Sequence, residues 1–567
     1  MIRGLSDVAN KLGLESGVSQ SEPSKECCED QFNSKAPREI PMMYRAQIRG
    51  RCSLQYAGNN QHLNQWLKEW ARLKSEQQPC YQYTEPPKLG LDGSTYRIKV
   101  EFPFRLFSNS GQDSILRPVL GKNGVPCIPG SSIKGLFLRV CQADDKVQQR
   151  SQEESLARKY CGDAEQPGVL RFHSAYPVGN WAERIGDVVH PQENWQVKGK
   201  RDKSETALAL ISLYKPLMVF EFSSADPSIN WQKVKWLLLE ALQRGVGGKT
   251  STGYGLGGNF PGKPLVNPKC PIDVELSGVG VSSVLRSGEP EFRPNLFKAA
   301  LRGHTRRLLA GVCPNEDAVQ CETQRLFGST GAEGVVKILW QSRPSVDKEL
   351  AYNVKGILYI DAPQSDVNFI RQVLKFAFTM GGFGRSWRRV WHKDFYNPVY
   401  DKKYSKLIGC HWRSPDFDDI KTTQDLKKFL EDLNQTCRDR LRSNSPRSLN
   451  WKEAWNPRRV AVYAKVVQSS QVIDLFHDGD FKTTPAIGGK NPGETRPTSV
   501  SCVWHRMLPL KDGQYLEIVT VFHGDRTPWT RNSDEHHSDD QLPTFIKALK
   551  KEGLDLEWGT EPMSNKK

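Results

Sequence analysis

The chain has 567 residues and a formal net charge of +16, from 80 Lys and Arg against 64 Asp and Glu. A hydrophobic content of 37% with 15 Trp and 23 Phe excludes a disordered chain, and no apolar run approaches the ~20 residues that span a bilayer. Thirteen cysteines without CxxC pairs exclude a disulfide framework and a zinc ribbon. A cytoplasmic protein of roughly three or four domains is expected, and its positive charge points to a polyanionic partner.

Residues 1–94 read as an N-terminal extension, loosely ordered to about residue 38, with a helix predicted over 62–73 from Leu63, Trp66, Leu67, Trp70 and Leu73. Alternation of Tyr96, Ile98, Val100 and Phe102 predicts a half-buried strand. In Ile128-Pro129-Gly130-Ser131-Ser132-Ile133-Lys134-Gly135, Ser131 or Ser132 is expected to cap a helix that buries Ile133, Leu136, Phe137 and Val140. Cys161-Gly162, then Gly168 to Phe172, reads as a turn entering a strand. Residues 188–203, with Trp195, suit a protruding basic hairpin, and 217–222 a further strand. Asn230 caps a helix that buries Trp231, Val234, Leu238 and Leu242.

That helix runs into Gly245-Val246-Gly247-Gly248-Lys249-Thr250-Ser251-Thr252-Gly253-Tyr254-Gly255. Consecutive amides beside Lys249 and three hydroxyls would suit a row of phosphate oxygens, with a flexible helix-to-strand turn as the alternative. A nucleotide P-loop does not fit, because position 243 is Gln and a helix, not a strand, precedes the loop.

The same order of elements then repeats. A strand is expected over 272–281, then a helix from Pro294-Asn295 carrying Lys298, Arg302, Arg306 and Arg307. Leu326-Phe327-Gly328 and Gly334 to Ile338 copy the earlier turn and strand, including the spacing between glycines. A strand over 356–360 and a helix over 369–380 lead into Gly381-Gly382-Phe383-Gly384-Arg385-Ser386-Trp387-Arg388-Arg389. Two such loops in register imply a duplicated module. The expected units are 95–265, 266–400, a connector over 401–457, and a third, diverged unit over 458–567. That last unit has strands at 460–467, 501–507 and 515–522 and a helix at 542–551.

The alternation of strands and helices gives an α+β fold of tandem ferredoxin-like modules. The chain resembles the RAMP superfamily, the backbone subunits of type III CRISPR effector complexes. Residues 128–135 match that family's IPGSSxKG motif, and residues 245–255 look like its carboxy-terminal glycine loop. The first module is similar to the small backbone subunit near the guide's 3′ end in the Cmr (type III-B) complex. The remainder is similar to the neighbouring capping subunit, as in a fusion of the two.

The resemblance implies an RNA-binding subunit that cradles guide RNA and its duplex with target RNA, beside other type III backbone and large subunits and with no membrane partner. Candidate RNA contacts are Ser131, Ser132, Lys134, Arg139, Gly247, Gly248, Lys249, Thr250, Ser251, Thr252, Tyr254, Lys298, Arg302, Arg306, Arg307, Arg385, Arg388 and Arg389. RNA binding of this kind requires no cofactor. Cleaving relatives carry a loop aspartate beside a divalent metal. Here Leu116 stands at that place, and Asp113, three residues earlier, is the candidate that would work with Mg²⁺. Glu289 and Glu291 occupy the comparable loop of the second module. A stand-alone guide-processing ribonuclease is a further alternative, although neither His173 nor His304 sits beside an obvious base or nucleophile. His392, Cys410 and His411 match no standard metal-site spacing.

Overall fold

The computed structural model describes residues 88–562, apart from 113–114, 120–124, 180, 182–184, 190–192, 200–207, 259–270, 286–288, 330–331, 343–344, 347–349, 397–406, 490–499 and 535–536. The expected helix at 62–73 and the candidate Asp113 therefore lie outside the described residues.

The first module starts with β1 (Gly90–Asp92) and β2 (Thr95–Glu101), where Tyr96, Ile98 and Val100 face the core as their alternation requires. Helix α1 (Gly130–Val147) and α2 (Leu156–Cys161) follow, then β6 (Arg171–Phe172), β7 (Tyr176–Val178) and β10 (Leu217–Ser223), and finally α4 (Trp231–Gln243). The sheet runs β1-β2-β10-β6 with β7 also on β10, all antiparallel. With β6 and β7 as the second strand and β10 as the third, this is the 4-1-3-2 ferredoxin-like order, the short β1 filling the edge of the fourth strand. Asn230 caps α4 by accepting from the amide of Lys233 at 3.0 Å. Helix α1 differs from the expectation: Pro129 is its N-cap, no side chain caps it, and Ser131 and Ser132 are exposed in its first turn.

An insertion leaves this module. It comprises β3 (Arg105–Leu106), the hairpin β4 (Asn109–Gln112) and β5 (Ile115–Pro118), β8 (Ile185–Val189), α3 (Glu193–Lys198) and β9 (Leu208–Tyr214). Of the stretch at 188–203 read as a protruding hairpin, the described residues 193–198 form helix α3. Val197 on α3 is fully buried, and its carbonyl accepts from the amide of Glu453 at 3.0 Å.

The second module repeats the plan at greater length. Strand β11 (Ile272–Val281) is followed by β12 (Ser283–Val284), β13 (Pro290–Glu291), α5 (Asn295–Val312), α6 (Glu316–Phe327) and β14 (Lys337–Ser342). Then come β15 (Ser345–Val346), β16 (Ala351–Asp361), α7 (Gln364–Thr379), α8 (His392–Phe395) and β17 (Cys410–Arg413). The order β14-β16-β11-β17 is again ferredoxin-like. The fourth strand, β17, lies inside the stretch read as a connector. Its pairing with β11, from Ser277↔Arg413 to Gly280↔Cys410, makes that stretch part of the sheet. Helix α9 (Thr423–Leu441) then packs on α5 and α7.

The duplication is visible atom by atom in one turn. After α2, the amides of Val169 and Leu170 donate to the carbonyls of Lys159 and Tyr160; after α6, those of Val335 and Val336 donate to Arg325 and Leu326. Gly162 and Gly328 sit at φ +77° and +85°, and their partners Gly168 and Gly334 approach them too closely for any Cβ.

The third unit has β18 (Val460–Val467), β19 (Val503–Pro509), β20 (Tyr515–Phe522), the short pair β21 (Thr530–Asp534) and β22 (His537–Asp540), α10 (Leu542–Lys551) and β23 (Asp555–Gly559). Its order, β19-β20-β18-β23, is the ferredoxin-like one a third time. Between β18 and β19 the described residues hold 3-10 turns where the other units have a helix. One hydrophobic core runs through the second and third sheets and takes in Phe104, Phe107, Val197 and Tyr254 of the first module.

Candidate nucleic-acid interface

The glycine loop is built differently from a phosphate cradle. Its amides are mostly committed to the protein: Val246 donates to Gly255 O, Gly248 to Phe107 O, Thr252 to Lys249 O, Gly253 to Thr250 O and Gly255 to Arg105 O. Gly247 sits at φ +81°, and a Cβ there would lie 2.3 Å from the carbonyl oxygen of Phe107. The glycines thus let the loop lie against the strand end at 105–107. Tyr254 belongs to the core, 3% exposed and edge-on to Phe107, so it does not present a face to a base. Lys249 adopts a left-handed conformation and lays its ammonium 4.9 Å from the Phe107 ring centroid.

The loop's outer turn, Thr250–Thr252, instead meets the second module. It packs on β14 and on the start of α5, with Gly253 against Pro294. Here Lys298 donates from Nζ to Ser251 Oγ at 3.2 Å. Burial, with Arg302 and Lys337 nearby, lowers its ammonium to about 8. One turn on, Arg302 donates to the carbonyl of Gly328 at 2.7 Å, in the Phe327-Gly328-Ser329 turn. Ser251, Thr252, Asn295, Lys298, Arg302 and that turn line an open cavity of about 770 Å³ together with Gln320, Gln324 and Glu333. Two expected groups of contacts, 47 residues apart in the chain at Ser251 and Lys298, are thus neighbours. The amides Gln320 and Gln324 were not singled out from sequence; their spacing of one helical turn on α6 was the available signal.

The remaining basic residues divide. Arg307 and Arg388 are not surface contacts: both are buried and both bind Glu453, which is fully buried. Arg388 donates to Glu453 Oε1 from Nε at 3.0 Å and Nη2 at 2.8 Å, and Arg307 donates to Oε2 at 2.7 Å. The two guanidinium groups overcome the burial of Glu453 and hold its carboxyl at about 2. Arg306 is buried beside the Trp451 ring, 5.2 Å from its centroid. Arg389 braces the third unit through Val503 O, Ile487 O and Ser501 Oγ. Arg385 alone of that loop's arginines is exposed. On α1, Lys134 and Arg139 are exposed beside Ser131 and Ser132, with Arg139 donating to Gly135 O at 3.2 Å. Gly130 ahead of them has no room for a Cβ, which would lie 2.1 Å from Phe172 O.

Glu291, a candidate carboxylate in the second module, is a structural partner of Arg105 and is 1% exposed. His392 and His411 are also engaged internally: the His392 Nδ1 lies 3.0 Å from Val390 O, and the His411 Nε2 accepts from Arg413 Nε at 2.7 Å. Among the described residues no helix is long and apolar enough to cross a membrane.

Residues 109–257 match the RAMP superfamily, a span that contains both the IPGSS motif and the glycine loop. No curated protein matches the chain. Among solved structures, a type III-B Cmr-beta complex bound to cognate target RNA is similar at 20% identity and TM-score 0.23, covering 29% of this chain and 57% of that one. Cmr1 from Pyrococcus furiosus, in its apo form, is similar at 14% identity and TM-score 0.32, covering 51% of this chain and 98% of that one. Cmr6 from Pyrococcus furiosus is similar at 20% identity and TM-score 0.20, covering 30% and 100% respectively.

Proposed function

We propose that this chain, which carries a RAMP superfamily module at residues 109–257, is an RNA-binding backbone subunit of a type III CRISPR effector complex. In this reading it holds the 3′ portion of the guide RNA and the guide–target duplex beside the complex's other subunits. The observation that carries the reading is the cleft where Ser251 and Thr252 of the first module meet Lys298 and Arg302 of the second. Its donors are the Ser251 hydroxyl, an ammonium and a guanidinium, groups that hold a sugar–phosphate backbone without reading its sequence. The exposed Ser131, Ser132, Lys134 and Arg139 of α1 supply further contacts of the same kind, as do Lys249 and Thr250. Sequence recognition then rests on base pairing between guide and target.

Co-expression with its genomic neighbours and a CRISPR array, followed by sequencing of the RNA that co-purifies, tests this reading. Short RNAs of repeat–spacer origin, reduced when Lys134, Lys249 and Arg302 are together changed to Ala, are the expected result. RNA-free protein, or cellular RNA of random origin, would contradict it.

A further inference from the structure

A second basic cavity lies between the second module and the third unit. It measures about 800 Å³ and is walled by residues 384–389 on one side and by His477, Lys482 and Gly488-Gly489 on the other. Arg385, Arg388, Arg389 and Lys482 all line it, and among the described residues no Asp or Glu does. Glu453, behind the wall, is shared between Arg307 and Arg388, so the net charge facing the cavity is positive.

The wall at 384–386 is shaped for an anion. Gly384 at φ +91° and Ser386 at φ +57° place the intervening backbone in a turn, and among the described residues the amides of Gly384, Arg385 and Ser386 donate to no backbone carbonyl. Successive unengaged amides in such a turn form a concave anion-binding nest. Arg385 is exposed on the same turn and Lys482 is exposed across from it. Rings stand beside the charges: Trp387 and His477 line the cavity, and His477 is stacked on Tyr396 with centroids 4.5 Å apart. The opposite wall is held in place by Arg389, which bonds the carbonyl of Ile487 at 2.7 Å.

We infer that this cavity binds the terminal nucleotide of an RNA strand through a phosphate monoester on that end. The excess of cations over carboxylates among the described lining residues suits a dianion better than the single charge of an internal phosphodiester. The volume accommodates about one nucleotide with its shell of water, and aromatic walls accept a base without selecting it. This inference rests on the RNA-binding reading and adds an end-specific site to it, separate from the cleft at Ser251 and Lys298.

Binding of single-stranded RNAs of one sequence, bearing a 5′-phosphate, a 3′-phosphate or hydroxyls at both ends, to the full-length chain tests it. One phosphorylated RNA is expected to bind about tenfold tighter than the hydroxyl-ended RNA, as a charge-assisted contact at one phosphate implies. The double variant Arg385→Ala/Lys482→Ala should remove that gain and leave the affinity for hydroxyl-ended RNA in place, showing that the variant is folded. Equal binding of all three RNAs, or a gain that survives the double variant, overturns the inference while leaving the RNA-binding reading intact. A nucleoside monophosphate that binds as tightly as the phosphorylated RNA would overturn the assignment to an RNA end. Failure of the hydroxyl-ended RNA to bind at all would strike the RNA-binding reading itself.

Discussion

Arg105 and Glu291, 186 residues apart, form a buried bidentate ion pair, with Nε donating to Oε2 at 2.8 Å and Nη2 donating to Oε1 at 2.9 Å. Both side chains are 1% exposed, and the remaining guanidinium nitrogen donates to Ser212 Oγ at 2.6 Å. Arg105 also gives its carbonyl to the amide of Gly255. The pair therefore ties the strand beneath the first glycine loop to the entry of helix α5, which carries Lys298. It sets how the two halves of the candidate cleft face each other.

Removing one partner breaks the buried bidentate pair, although Glu291 keeps Arg293 and Arg105 keeps Ser212. Glu291→Gln or Arg105→Ala should destabilise the protein by roughly 3–5 kcal/mol. Replacing both with apolar residues of similar size, Arg105→Met/Glu291→Leu, should recover most of the loss. Thermal melting of the three variants checks this.

Glu453 predicts a dependence on acid. Its carboxyl is held at about 2 in the fold against an ordinary value of 4.5. A lowered carboxylate contributes stability that is complete above the unfolded value and is lost as pH falls towards the folded value. The melting temperature should therefore fall between about pH 5 and pH 2 by more in the wild type than in Glu453→Gln, which lacks the titrating group but is already less stable at pH 7.

Lys298 predicts a dependence on base. Its lowered ammonium loses its charge as pH rises through about 8. RNA affinity should drop about tenfold between pH 7 and pH 9.5, the value of one charge-assisted contact. Lys298→Arg, whose guanidinium keeps its proton, should flatten the profile. A wild-type affinity unchanged across that range would remove Lys298 from the contact set.

Two glycines separate packing from propensity. At Gly247 a Cβ would collide with Phe107 O at φ +81°, whereas at Gly135, inside helix α1, it would meet nothing within 4 Å. Gly247→Ala should destabilise by about 2 kcal/mol, from left-handed strain and the collision. Gly135→Ala should stabilise by roughly 0.5–1 kcal/mol. Chemical denaturation of both variants measures the contrast.

Much of the fold was legible because it is written in local periods. Alternation located β2 to within one residue, the strands at 460–467 and 515–522 and the helix at 542–551 are found where read, and the Gly162/Gly168 and Gly328/Gly334 turns repeat as their spacing implied. Strand β17 escaped because Cys-His-Trp-Arg is four residues long, and its first three are buried, leaving no alternation to detect. The candidate site was legible in composition but not in assignment. Arg302 and Arg307 look alike in sequence; one donates to the turn lining the cleft, and the other is bound to a carboxylate 146 residues away. Likewise the amides of residues 245–255 look available until the carbonyls of Arg105 and Phe107 are brought beside them. Long-range partners decide both cases, and no local pattern encodes them.

The central claim, that RNA lies where the first glycine loop meets helix α5, is tested most directly by photo-crosslinking 4-thiouridine-substituted RNA to the unaltered full-length chain and mapping the attached peptides. The account predicts crosslinks in the peptides holding Lys249–Thr252 and Asn295–Arg302. Crosslinks confined to peptides away from both segments would contradict it.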